Sequence, residues 1–378
     1  MPVNCPNIST SRTIHSKACR SNKVTSPFLT YRAAASPIYK NKSKTALSDQ
    51  LKGEKTMACS PHLQDCEPQN SRRNFFKHSL LTGAAIAGVS ELWPQAAMAD
   101  TIKTTPMWPA SPIPAQVPVT DAIADLGDTR LWYWDTGGNG EVVIFMHAGS
   151  QSAAGWGYQQ AAFASAGYRV IGYSRRGYFK SDLGDINNPG VASDDLDRLL
   201  QHLNIERAHL VAMAHGGYFA LDYSLSHPAK VLSLTLASSM LGVRDDAYSI
   251  MQKRLRPPFF NDLPVDFKEL GPSYRAGNPE GHDTWKTLAK AARPGGRVMP
   301  EIKNELSWKN LKSIKVPVLL MTGDADLYVP PSVLRLQASH FPAAETVIIK
   351  EAGHCSNWEQ PQAFNTSVLQ FIGKHTAT

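Results

Sequence analysis

From about residue 130 onward, short apolar runs alternate with polar stretches of helical spacing. Val142–Met146 (VVIFM) and Val170–Tyr173 (VIGY) are continuous apolar runs, the form taken by strands buried on both faces of a parallel sheet. Arg130–Trp134 (RLWYW) alternates as a half-exposed strand does. Ala208–Met213, Val231–Leu236, Val316–Met321 and Glu345–Ile349 supply further strands. Between them, Gly157–Ala166 has helical spacing and Asp195–Leu203 is amphipathic. Strands and helices taken in turn predict an α/β fold: a doubly wound, mostly parallel sheet with helices on both faces.

Residues 241–306 break this rhythm. They hold Arg254, Arg256, Pro257, Pro258, Phe259, Phe260 and Trp285 but no buried strand. The stretch reads as a small helical cap inserted into a core formed by 122–240 and 307–375. Phe259 and Trp285 are candidate pocket walls, and Arg254 or Arg256 could meet a carboxylate. The plainer reading makes the aromatics packing residues and the arginines solvated charges.

Composition changes the picture only at the N-terminus. Of 378 residues, 42% are hydrophobic and 19% charged, with a net charge of +7. Residues 1–99 carry 13 Lys/Arg against 5 Asp/Glu, which leaves 26 against 27 in 100–378. The folded part has no basic surplus, so no nucleic-acid partner is expected. Cys5, Cys19, Cys59 and Cys66 also lie in the leader, leaving Cys355 alone beyond it. One cysteine cannot form an internal disulfide. No metal-ligand spacing and no nucleotide-binding fingerprint occur, so no cofactor is inferred.

Ser71–Lys77 (SRRNFFK) resembles the twin-arginine export motif. A weakly apolar run follows at His78–Val89, shorter than the ~20 residues of a spanning helix. Ala97-Met98-Ala99 then offers an A-x-A cleavage site. Residues 57–99 thus read as a twin-arginine signal peptide. Its partner would be the twin-arginine export machinery, and no stable membrane anchor would remain after cleavage. The expected location is the periplasm or the exterior. Residues 1–56 read as an extra N-terminal segment from a mis-called start, with Met57 the true one, or as a transit-like segment that would direct the chain to a thylakoid lumen. Residues 100–121, with Pro106, Pro109, Pro112, Pro114 and Pro118, read as an extended tether.

Four segments carry candidate chemistry. His147–Ser150 (HAGS) follows a buried strand. Ala212–Gly216 (AMAHG) turns from a strand into a helix. Gly323–Pro330 (GDADLYVP) and Ala352–Pro361 (AGHCSNWEQP) each follow a late strand. In this order they resemble the α/β-hydrolase family over nearly all of 122–375. The resemblance makes Asp326 the catalytic acid and His354 the base, and leaves Asp324 a turn residue. It assigns the oxyanion hole to the backbone N–H groups of Gly149 and His215. The elbow serine of Gly-x-Ser-x-Gly is replaced by Ala214, whose methyl cannot attack a carbonyl.

Three readings of Ala214 are open. In the first, an exported enzyme works without a covalent intermediate, His354 and Asp326 acting on a water or on an acidic substrate proton. In the second, a pseudoenzyme holds a small apolar ligand. In the third, an ordinary serine hydrolase has had its nucleophile replaced. Ser150, Ser152 and Cys355 are candidate substitute nucleophiles, although no spacing aligns them with His354. Ser150 is also a candidate contact for a small-molecule substrate. Haloalkane and epoxide chemistry is disfavoured because it needs an aspartate at the elbow.

Overall fold

The structure, a computed structural model, describes residues 111–295, 299–341 and 343–376. The expectations for the export signal, its cleavage site and the upstream segment lie outside these residues, as does the first half of the tether.

Strands β1 (Thr120–Asp125) and β2 (Arg130–Asp135) form an antiparallel hairpin. The main alternation follows: β3 (Val142–Met146), α1 (Gly157–Ser165), β4 (Arg169–Tyr173), α2 (Ala192–His202), β5 (Ala208–Met213), α3 (Gly216–Ser226) and β6 (Val231–Ala237). Four helices make the cap: α4 (Asp246–Leu255), α5 (Val265–Glu269), α6 (Pro272–Gly277) and α7 (Pro279–Ala291). The core then resumes with α8 (Trp308–Leu311), β7 (Val318–Gly323), α9 (Pro331–Ala338), β8 (Glu345–Ile349), α10 (Ser356–Glu359) and α11 (Pro361–Gly373).

One eight-stranded sheet runs β1-β2-β4-β3-β5-β6-β7-β8. β2 meets β4 antiparallel, and every pair from β4 to β8 is parallel. The apolar runs read from the sequence are the central strands, whose period of two feeds two cores. Ile144, Met146, Leu210, Ala212 and Leu320 pack with α2, α3 and α9 on one face. Val143, Phe145, Val211, Met213 and Leu319 pack with α1 and α11 on the other. Phe145 stacks on Trp156 at 4.5 Å between ring centroids. Truncating such a side chain to alanine costs ~3–5 kcal/mol.

The sequence reading needs one boundary correction. Strand β1 starts at Thr120, so the extended segment ends before residue 121. Its burial is weak, with only Ala124 fully covered, and an edge strand of this kind writes little alternation into the sequence. The described part of that segment is also fastened to the core. Tyr158 donates its hydroxyl to the Ser111 carbonyl at 2.6 Å, and the Gln160 side chain bonds Val117 through both its N–H and its C=O.

Every parallel strand points its C-terminal end to the same side of the sheet. Loops from β3, β5, β7 and β8 therefore converge there, the usual place for ligands in sheets of this type. The cap lies in the chain between β6 and β7, and Tyr158, Leu270, Tyr274, Trp285, Cys355 and Trp358 form its buried seam with the core.

Candidate active site

The turn after β5 keeps the geometry of a nucleophile elbow without a nucleophile. Ala214 has φ of 48°, the left-handed region that a side-chain-bearing residue seldom occupies. Gly216 is needed just after it: a Cβ there would lie 2.3 Å from the Met146 carbonyl oxygen and 2.8 Å from that of His147. Helix α3 starts at this residue, so its N-terminal dipole faces the turn.

The loop after β3 is held from behind. Arg175 is buried and donates to the His147 carbonyl at 2.6 Å, and Tyr178 donates to the Gly149 carbonyl at 3.1 Å. The His147 ring accepts the Arg175 N–H at Nε2, so Nδ1 carries the proton and donates to the Ala148 carbonyl at 2.8 Å. Burial, then the nearby Arg175 charge, push the His147 pKa down and keep the ring neutral. In a trans peptide the N–H points opposite to its C=O. With the Ala148 carbonyl drawn toward His147 and Arg175, the Gly149 N–H points the other way. A Cβ built on Gly149 would touch the His215 side chain at 3.4 Å, so the structure brings these two residues together.

Asp326 and His354 meet as the sequence pattern requires. His354 Nδ1 lies 3.0 Å from both carboxylate oxygens of Asp326, and both residues are buried. The carboxylate also accepts the N–H groups of Tyr328 (2.7 Å) and Val329 (3.0 Å), while the Thr322 hydroxyl, 3.1 Å from it, gives its proton to the Val329 carbonyl at 2.6 Å. Burial opposes the Asp326 charge, but His354 and these donors outweigh it and hold the carboxyl below its ordinary range. Burial likewise opposes the His354 cation, while Asp326, then Glu269 and Glu359, raise its pKa above the usual value. The pair therefore presents Nε2 as a base oriented by a carboxylate. Asp324 is exposed and accepts the Ala352 N–H at 3.3 Å from the turn, as expected of a turn residue.

Other candidates fall out differently. Phe259 is 80% exposed, with a left-handed φ of 58°. That turn sends it to solvent and puts Phe260 inward, 4.9 Å from the Tyr328 ring. Trp285 is buried in the cap seam. It lines a cavity of about 20 Å³ with Gln151, Met213 and Cys355, room for about one water and too little for a substrate. Trp285 therefore packs the cap. Ser150 donates its hydroxyl to Glu269, and the buried Cys355 thiol lies 3.6 Å from the same carboxyl oxygen. Burial, then Glu269, push that thiol's pKa well up, which opposes a thiolate nucleophile. The Ser152 hydroxyl oxygen accepts the Ala154 N–H at 3.3 Å as a helix cap.

Two residues are new to the site, Glu269 and Tyr328, and Arg256 joins them from the carboxylate candidates named above. Glu269 comes from the end of α5. Tyr328 packs on the His354 ring at 4.3 Å between centroids. Arg256 is half-buried, with its guanidinium carbon 5.1 Å from the Phe260 ring centre and 5.5 Å from that of Tyr328. Its Nε is buried without a hydrogen bond, and among the described residues no carboxylate lies within ion-pair distance of it. Arg254, two residues earlier, is exposed. No sequence signal marks Glu269, because it acts through the folding of the cap onto distant loops. Among the described residues, no group of three His, Cys, Asp or Glu could hold a metal ion.

Comparison with known proteins agrees with this architecture. The model of the alpha/beta hydrolase family matches residues 143–366. A 2-hydroxy-6-oxononadienedioate/2-hydroxy-6-oxononatrienedioate hydrolase of Paraburkholderia phymatum is 29% identical over 272 residues, 65% of this chain and 92% of the relative. One of the same name from Burkholderia vietnamiensis is 28% identical over 277 residues, 67% and 94%. Among solved structures, a thermophilic esterase from Thermogutta terrifontis superposes with a TM-score of 0.57 at 23% identity, over 69% of this chain and all of that one. A bromoperoxidase from Bacillus anthracis gives 0.56 at 24%, over 67% and all of that chain. At those identities the two structures speak for the fold.

Proposed function

The chain belongs to the alpha/beta hydrolase family and is an enzyme of it, and we propose that it hydrolyses its substrate without a covalent intermediate. His354, oriented by Asp326, takes a proton from a water that attacks a carbonyl carbon. The N–H groups of Gly149 and His215 hold the oxygen on which charge develops. The observation that carries this reading is the intact His354–Asp326 pair beside an elbow that keeps its strained φ with only a methyl group on it. A left-handed alanine costs ~1–3 kcal/mol. The same base can take an acidic O–H or C–H proton from a substrate, which gives lyase-like proton-abstraction chemistry.

For the substrate, we propose a small, partly apolar molecule with a carboxylate at one end. The relatives are named for a dioate bearing a 2-hydroxy and a 6-oxo group. Arg256 supplies the complementary charge here: it lies against Tyr328, which packs on His354, and it has no carboxylate partner of its own among the described residues. Export through the twin-arginine route, to the periplasm or beyond, remains a proposal supported by Arg72, Arg73 and the Ala97-Met98-Ala99 site. Cell fractionation of the full chain beside Arg72→Lys/Arg73→Lys tests it.

The deciding experiment is turnover of a panel of chromogenic aryl esters and of a 2-hydroxy-6-oxodienoate by the purified protein, His354→Ala and Ala214→Ser. Turnover by the parent that His354→Ala abolishes supports the reading. An inert parent beside an active Ala214→Ser overturns it.

A further inference from the structure

One buried carboxyl joins the cap to both loops of the site. Glu269 Oε2 takes the Ser150 hydroxyl and lies 3.6 Å from Cys355 Sγ. Its backbone carbonyl accepts the Cys355 N–H at 3.0 Å. Ser150 is the residue after Gly149, and Cys355 is the residue after His354. The carboxyl thus sits at the seam between the oxyanion loop and the base.

Comparison with Glu359 shows how unusual this carboxyl is. Glu359 is also buried, but it accepts three backbone N–H groups, from Gly271, Gly353 and Cys355. Those bonds account for it as a structural latch. Glu269 has one hydroxyl and one thiol, both at Oε2. Among the described residues no Lys, Arg or His lies within ion-pair distance of it, and Ser150 and Cys355 both meet it at Oε2, leaving Oε1 to the side of the site. A buried carboxyl left this bare is expensive to keep, and an amide would hold Ser150 as well. Such groups concentrate where protons are moved.

We propose that Glu269 is a second acid–base residue of the reaction, giving a proton to the departing atom in the same cycle in which His354 takes one from the attacking water. This rests on the reading of His354 given above. Water loses a proton to His354 Nε2 as its oxygen bonds the carbonyl carbon, and the C=O electron pair moves to the oxygen. That pair returns as the bond to the leaving atom breaks, and the leaving atom keeps the bond's electrons and receives the Glu269 proton. The imidazolium then returns its proton to the Glu269 carboxylate, and the net change is one water added.

The surroundings suit this role. Burial pushes the Glu269 pKa up, while His354, Ser150 and Cys355 draw it part of the way back. The titratable groups that face it are His354, Asp326, Cys355 and Tyr328. Of these, Asp326 adds to the upward push.

The test compares a leaving group that needs a proton with one that does not: ethyl against 4-nitrophenyl butyrate, with the full chain, Glu269→Gln, Glu269→Asp and His354→Ala. General acid catalysis is worth roughly 100- to 10,000-fold. Glu269→Gln should lose that much on the ethyl ester and about tenfold or less on the aryl ester, with partial recovery in Glu269→Asp. Equal losses on both esters make Glu269 structural and overturn the inference while the base reading stands. If His354→Ala keeps its rate while Glu269→Gln loses selectively, the base reading fails and the acid survives. A parent inert toward both esters overturns both. If Glu269→Gln does not fold, the leaving-group dependence of the parent decides. It should be shallow at low pH and steepen as Glu269 ionises, and a slope equal at every pH overturns the proposal.

Discussion

Glu359 accepts the backbone N–H of Gly271 at 2.7 Å, so one carboxyl from α10 fastens the start of α6 to the base loop. The two backbones pass closely there: a Cβ on Gly353 would lie 2.4 Å from the Gly271 nitrogen. Burial pushes the Glu359 pKa up to about 7, against the pull of the N–H groups of Gly353, Gly271 and Cys355. The native state therefore holds this proton more tightly than the unfolded chain, whose value is near 4.5. Its contribution to stability is largest below pH 4.5 and is lost as pH rises toward 7, by about 3 kcal/mol. Urea unfolding at pH 5 and pH 8 should show this fall, and Glu359→Gln should flatten it. An unchanged slope in Glu359→Gln would place the titration elsewhere.

The elbow methyl has no chemical part in a water-based reaction, and it sits at a backbone angle that suits glycine. Ala214→Gly should relieve the left-handed strain while loosening the unfolded chain, two effects of about 1 kcal/mol that oppose each other. Stability should change by no more than that, and turnover should stay within about threefold, since no group that His354 acts on is lost. Ala214→Ser should behave differently, accumulating an acyl adduct visible by intact mass during ester turnover. Gly216→Ala, by contrast, drives a Cβ into the carbonyl oxygens of Met146 and His147. It should cost more than about 3 kcal/mol. A Gly216→Ala protein as stable as the parent would show that the elbow is not held by this close approach.

Much of this arrangement was legible before folding because it is local. Strands β3 to β6 are buried on both faces, so burial writes itself as unbroken apolar runs. Asp326 and His354 sit in turns whose neighbours, Gly323 and Gly353, are fixed by close backbone approaches. What stayed hidden is tertiary. Ser150 and Glu269 are 119 residues apart in the chain, and neither carries a mark of the other. Phe259 and Phe260 are adjacent and alike in sequence, and only the left-handed turn at 259 decides which one is buried. Strand β1 leaves no mark in the sequence, because an edge strand with one covered residue has no alternation to read.

Arg256 offers a test of substrate charge. Its guanidinium is flanked by Phe260 and Tyr328, and its Nε is buried without a partner. A carboxylate arriving there gains a charge-assisted bond of about 1.5–3 kcal/mol. Arg256→Gln should raise KM for a carboxylate-bearing substrate roughly 10- to 100-fold, by the same energies. The kcat should fall little, because the contact exists equally before and during reaction. A neutral ester should show no such change. Equal effects on charged and neutral substrates would reduce Arg256 to a packing residue.

In the proposed reaction Asp326 sets the acid limb of the pH profile. Its carboxylate, together with Glu269 and Glu359, holds the His354 pKa above the ordinary histidine value of 6.5 against the effect of burial. A general base works only when neutral, so kcat/KM for the 4-nitrophenyl ester, whose leaving group needs no proton, should rise with pH through an inflection above 6.5. Asp326→Asn removes the charge that most favours the imidazolium, so the inflection should move to lower pH. It also removes the acceptor that fixes the proton on Nδ1, freeing the ring to present Nε2–H to the water. Turnover at the plateau should therefore fall by roughly 100- to 10,000-fold. The two effects are separable in one kcat/KM profile between pH 5 and 9, since a shift alone changes the limb and a lost tautomer alone lowers the plateau. A plateau that falls with the limb unmoved would mean that Asp326 orients His354 without tuning it. A profile unchanged in both respects would remove His354 from the reaction, because no base paired this closely could lose its carboxylate without a trace.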